Sequence, residues 1–228
     1  MGGFLSCILV ASASSTCSIT LLADGPIADA LIASAPAASP EVIRLATSAA
    51  NCAAEIGRPS AQRLAVIDYS RASTEPRLWV FDLTTGALLH EELVAHGRNS
   101  GDNYAYAFSN DASSLQSSLG LFQTLDAYDG EHGYSLRLQG LERGVNDHAY
   151  DRAIVIHGAT YVSYDFIKQV GRIGRSWGCP AVRPEIARSL INALKGGQYV
   201  FAYYPDPQWL ATSTYLHCGE PPLSMTLN

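Results

Sequence analysis

The sequence predicts a mixed, β-dominated fold with peripheral helices and an N-terminal helical segment. Three observations carry that prediction: a helical period near the front of the chain, a switch to period-two alternation from Arg63, and a return to helical spacing near Pro184. At 228 residues the chain is long enough to bury a sizeable core. A hydrophobic content of 47% argues against disorder. Its 15 basic against 21 acidic residues give a net charge of −6, the wrong sign for a nucleic-acid binder.

Residues 1–23 read as a secretory leader. The first 43 residues contain no Lys or Arg, residues 4–22 carry no charge, and the apolar run from Phe4 to Val10 leads into small residues before Ala23 and Asp24. Neither Cys7 nor Cys17 follows a lipobox-like pattern. The expectation is therefore an exported protein, with no stable membrane insertion once the leader is removed.

Residues 24–60 are expected to be helical. Ser39 can cap, Pro40 suits the first helical position, and Val42, Leu45, Ala49, Cys52 and Ile56 recur at spacings of three and four before Gly57. Residues 61–205 form the expected strand-rich domain. Residues 64–69 and 78–83 are β-rich runs, and Thr84-Thr-Gly86 turns the second back into residues 87–95 as a hairpin. Short strands follow at residues 119–124, 134–138 and 153–156. Residues 184–195 read as a helix, with Ile186, Leu190, Ile191 and Leu194 on one side and Gly196-Gly197 as the stop. Residues 199–204 are the last strand, and residues 206–228 a tail. Trp79, Phe81, Tyr199 and Phe201 alternate on strands and read as core.

Without the leader, the cysteines are Cys52, Cys179 and Cys218, an odd number that leaves at least one unpaired within the chain. The chemistry concentrates between residues 153 and 183. A buried-looking strand ends in His157-Gly158, and Ser176-Trp-Gly-Cys179-Pro180 follows just ahead of a helix. Thiol catalysis needs a base for the thiol proton, a nearby helix N-terminus to favour the thiolate, and a turn whose N–H groups face an oxyanion. His157 supplies the first, and Gly178 and Cys179 are expected to supply the N–H pair. No metal site is expected, because no Cys-x-x-Cys occurs and no second His follows His157 at ligand spacing. His90, His96, His132, His148 and His217 read as ordinary surface or core residues.

Ile156-His-Gly158, followed by Arg172-Ile-Gly174-Arg-Ser176-Trp-Gly-Cys179, resembles the catalytic block of the L,D-transpeptidase (YkuD-type) family, in its murein L,D-transpeptidase catalytic-domain branch. Ser118-Leu-Gly120-Leu-Phe122 is similar to the turn-to-strand segment upstream of that family's active site. The resemblance covers about residues 62–204. The chain departs from the pattern in a longer loop between His157 and Cys179, in Trp177 where a basic residue is common, and in Pro180-Ala181 where an Arg is expected two places after the cysteine.

The resemblance implies an L,D-transpeptidase-like β-sandwich or barrel that remodels peptidoglycan stem peptides in the periplasm or cell wall without a cofactor. Cys179 would form a thioester with a tetrapeptide stem and pass it to an acceptor amine. His157 would be the base, and the Gly158 carbonyl would orient its ring. Ser176 would hold the loop beside the substrate, and carbapenems would acylate the thiol. A disulfide between Cys52 and Cys218, leaving Cys179 free, is suggested on the same ground. From the residues themselves, Arg172, Arg175 and Arg183 are candidate grips on a substrate carboxylate or ordinary surface arginines, and Trp177 a wall of the substrate site or a packing residue. Hydrolysis by the same pair, as an L,D-carboxypeptidase, and a non-catalytic peptidoglycan-binding role stay open on the sequence.

Overall fold

A computed structural model describes residues 25–218, so the expected leader lies outside the described residues. The chain begins with two helices, α1 (Pro26–Ser34) and α2 (Pro40–Glu55). Ser39 caps α2 by accepting the Val42 N–H at 3.5 Å, and Pro40 occupies its first turn without forfeiting a needed donor. The buried face of α2 is rich in alanine, with Ala46, Ala49, Ala50 and Ala53 beside Val42 and Ile43. Small side chains let the helix lie close against the strands beneath it. Ile56, expected on that face, is 58% exposed because the helix has already ended.

Eight strands make one sheet: β1 (Arg63–Asp68), β2 (Leu78–Asp82), β3 (Leu88–Glu92), β4 (Gly120–Gly130), β5 (Gly133–Gly140), β6 (Val155–Gly158), β7 (Ala181–Val182) and β8 (Tyr199–Tyr203). Their order is β3-β2-β1-β8-β4-β5-β6-β7. The pairs β1·β8 and β6·β7 are parallel, and the rest are antiparallel. β1, β2 and β8 are apolar runs buried on both faces, under the helices and over the interior. Asp82 shapes the β2–β3 turn, its carboxylate accepting the Thr84 and Thr85 N–H groups at 2.8 and 3.0 Å.

The two ends of the sheet meet. Beyond β3, the Ala95 N–H donates to the Ala181 carbonyl in β7 at 2.8 Å, so the sheet curls into a nearly closed barrel. Glu92 at the end of β3 accepts both branches of Arg183, each at 2.8 Å, beside that seam.

Three further helices complete the fold: α3 (Tyr164–Val170), α4 (Pro184–Leu194) and α5 (Pro207–Thr212). α4 buries Ala187, Leu190, Ile191 and Leu194 on the sheet. α3 and α5 were not expected. α3 is a short helix that buries no residue fully, with Ile167 half-buried against a small apolar cluster, while α5 falls in the expected tail and is anchored by buried Trp209. Cys52 on α2 is bonded to Cys218, which ties the front of the chain to its tail. No helix among the described residues is long and apolar enough to cross a membrane.

Candidate active site

His157 is the penultimate residue of β6, between β5 and β7, opposite Ser135 on one side and Ala181 on the other. Its Nδ1 lies 3.0 Å from the Gly158 carbonyl oxygen. A carbonyl can only accept, so Nδ1 carries the proton and Nε2 presents a lone pair. Burial holds the imidazole below its ordinary pKa, so the ring is neutral near pH 7. Gly158 leaves little room for a side chain: a Cβ there would sit 3.1 Å from Ala187 Cβ and 3.2 Å from Pro184 Cα, where α4 crosses β6.

Cys179 is the free cysteine among the described residues. It lies two residues before Ala181, which pairs with His157, so the thiol and the imidazole ride on neighbouring segments. In this conformation the thiol donates to the Ala153 carbonyl at 3.7 Å rather than to His157. Burial pushes the thiol pKa up, opposed by a hydrogen bond from the Val155 backbone and by the charge of Arg152. The sequence assigned that electrostatic role to the coming helix. The structure places β7 between Cys179 and α4, and the cation at the thiol is Arg152.

Arg152 was not singled out from the sequence. Its guanidinium donates to Ser109 O at 2.7 Å, Ser118 Oγ at 2.6 Å, Ser114 Oγ at 3.1 Å and Gln116 O at 2.6 Å. These acceptors are all neutral, so they fix the guanidinium without cancelling its charge.

The 176–179 turn is knitted from within. Buried Ser176 donates its hydroxyl to Cys179 O at 2.6 Å and accepts the Gly178 N–H at 3.1 Å. The Gly178 N–H expected to face an oxyanion is thus directed at Ser176, and the Ser176 hydroxyl serves the loop. Gly178 has φ +126°, a region that favours glycine, and a Cβ there would lie 2.8 Å from Gln116 O. Trp177 is 73% exposed at the rim.

None of the three arginines expected at the substrate stands unpaired. Arg175 donates to Arg98 O, Gly101 O and Asp102. Arg172 reaches Ile173 O, with Asp102 at 3.9 Å, and Arg183 is held by Glu92. Among the described residues no group of three or more His, Cys, Asp or Glu converges as a metal site.

A buried polar layer backs the turn. Ser176 N–H donates to His96 O at 3.0 Å, and His96 Nδ1 accepts from fully buried Arg77 at 2.7 Å. A protonated Nδ1 could not accept that bond. Burial and the Arg77 charge pull the His96 pKa to about 4. Unfolded, the same ring titrates near ~6.5, so between those values the unfolded chain binds a proton that the native protein does not. Stability is expected to fall by about 3 kcal/mol as pH drops from 6.5 to 4, and His96→Asn to flatten that slope. Urea midpoints across this range check it, and an unchanged slope in the variant would refute it.

A family model described as "L,D-transpeptidase catalytic domain" matches residues 34–203. No curated protein matches the chain. Similar solved structures include an L,D-transpeptidase from Mycobacterium smegmatis, with 14% identity, TM-score 0.40, 64% of this chain and 60% of that chain covered. L,D-transpeptidase 3 from Mycobacterium tuberculosis, in complex with a faropenem-derived adduct, has 15% identity, TM-score 0.38 and coverage of 63% and 60%. An L,D-transpeptidase from Stackebrandtia nassauensis has 12% identity, TM-score 0.41 and coverage of 79% and 90%. The match spans about 60% of the length of the two mycobacterial chains. With the family model covering most of the chain, the protein belongs to the L,D-transpeptidase catalytic-domain family.

Proposed function

We propose that the protein is a peptidoglycan L,D-transpeptidase that uses Cys179 as its nucleophile and His157 as its base. The observation that carries the reading is a free thiol beside a fixed guanidinium, one strand away from an imidazole whose Nε2 lone pair is free of the Gly158 bond. His157 Nε2 takes the Cys179 proton, and the thiolate attacks the carbonyl carbon of the amide after the third stem residue. The C–N bond breaks, the terminal D-residue leaves as an amine with the proton from His157, and a thioester remains. An acceptor amine then gives its proton to His157 and attacks the thioester, and breakage of the C–S bond restores the thiolate. Of the two N–H groups expected at the oxyanion, the Cys179 N–H is the one not given to Ser176.

A peptidoglycan substrate would put this activity outside the cytoplasm, at the periplasm or wall. The Cys52–Cys218 disulfide supports that placement, since such bonds persist in oxidising compartments. The faropenem-derived adduct on the Mycobacterium tuberculosis enzyme makes a carbapenem or penem a suitable probe of the thiol here.

Product masses test the reading. Protein incubated with disaccharide-tetrapeptide and a D-amino acid should exchange the terminal residue or form a crosslinked dimer. A tripeptide alone would reassign the protein as an L,D-carboxypeptidase. No turnover and no carbapenem adduct, from folded protein, would overturn the proposal.

A further inference from the structure

His132 lies at the tip of the β4–β5 hairpin, an exposed two-residue turn between Gly130 and Gly133. Nothing in the sequence marks it out. The fold nevertheless stacks its ring on His157, with centroids 4.7 Å apart and planes 26° from parallel. We infer that His132 is a positioning residue for His157, covering one face of the base and holding its ring in the plane of the Gly158 bond. The inference rests on the catalytic role proposed for His157.

Geometry supports it first. His157 is fixed at one nitrogen by a carbonyl and on one face by His132, which leaves Nε2 as its free working atom. A general base acts only from a defined direction, and misplacement by about 1 Å can cost about 100-fold in rate. Among the described residues, His132 is the charged group that acts on His157. β5 sets Ser135 opposite the base, β7 sets Ala181, and α4 lays Pro184 and Ala187 against Gly158. Neither Glu131 beside His132 nor Cys179 on the neighbouring segment figures among the groups that shift His157. A proton on His132 opposes a second on His157, so a surface histidine helps keep the buried one in its basic form.

Two substitutions separate the stack from the charge. His132→Phe keeps an aromatic face and removes the charge, while His132→Ala removes both. The His157 titration midpoint, read from its ring Cε1–H signal by NMR in the absence of substrate, should rise in both variants. The acid limb of the pH profile for Cys179 acylation by imipenem should move to higher pH in both. The plateau rate should drop about tenfold in His132→Ala and recover to within about twofold of the parent in His132→Phe. An unchanged His157 midpoint, or plateau rates equal in all three proteins, would overturn the inference. If the parent is not acylated at any pH, the proposed function fails, and the NMR midpoint alone decides whether His132 acts on His157.

Discussion

Cys179→Ala is expected to lower turnover by at least about 10⁴-fold, and Arg152→Met to slow acylation near pH 7 by about tenfold while leaving the nucleophile in place. The first loss is this large because the covalent step, in the proposed mechanism, has no other nucleophile. The second follows from the charge balance at the sulfur. Burial disfavours the thiolate, and Arg152 is the cation that works against it. Removing that charge should move the pH midpoint of iodoacetamide alkylation upward. Arg152 also gathers acceptors from Ser109, Ser114, Gln116 and Ser118, so Arg152→Lys is the necessary companion: it keeps the charge and loses the fork. An alkylation midpoint retained in Arg152→Lys and raised in Arg152→Met isolates electrostatics. Midpoints identical in all three proteins would remove Arg152 from the site.

What the sequence made legible follows from local physics. α2 and α4 announce themselves through apolar spacing and a proline at the first turn, and β1, β2 and β8 through short apolar runs. α3 is only seven residues long with a face that is half-buried at most, β7 is two residues long, and the outer half of β4 is polar and half-exposed, so none gives a sustained periodic signal. At the site, His157 and Cys179 stand inside a recognisable pattern. Arg152 and His132 do not. The role of Arg152 depends on carbonyl and hydroxyl groups about forty residues upstream, and that of His132 on a hairpin register that no local pattern displays. The pairing of the arginines near Cys179 is hidden for the same reason, because their partners, Asp102 and Glu92, lie far off in sequence.

Arg183 gives the sharpest case. From the sequence it is a candidate grip on a substrate carboxylate; in the fold it pairs through Nε and Nη2 with Glu92, a carboxylate only 7% exposed. The pair sits where β3 and β7 close the sheet, close to the Ala95–Ala181 hydrogen bond. Removing one member strands the other, so Arg183→Ala should destabilise the protein by about 3 kcal/mol by leaving Glu92 buried without its cation. Replacing both, as Arg183→Met with Glu92→Met, should recover most of that loss, since a buried pair and a well-packed apolar pair are often close in stability. This double variant separates the two roles. If the pair only closes the barrel, folded double variant should keep its KM for the tetrapeptide within about threefold. A KM raised more than about tenfold in a protein of near-parental stability would return Arg183 to the substrate, with Glu92 as the group that aims it.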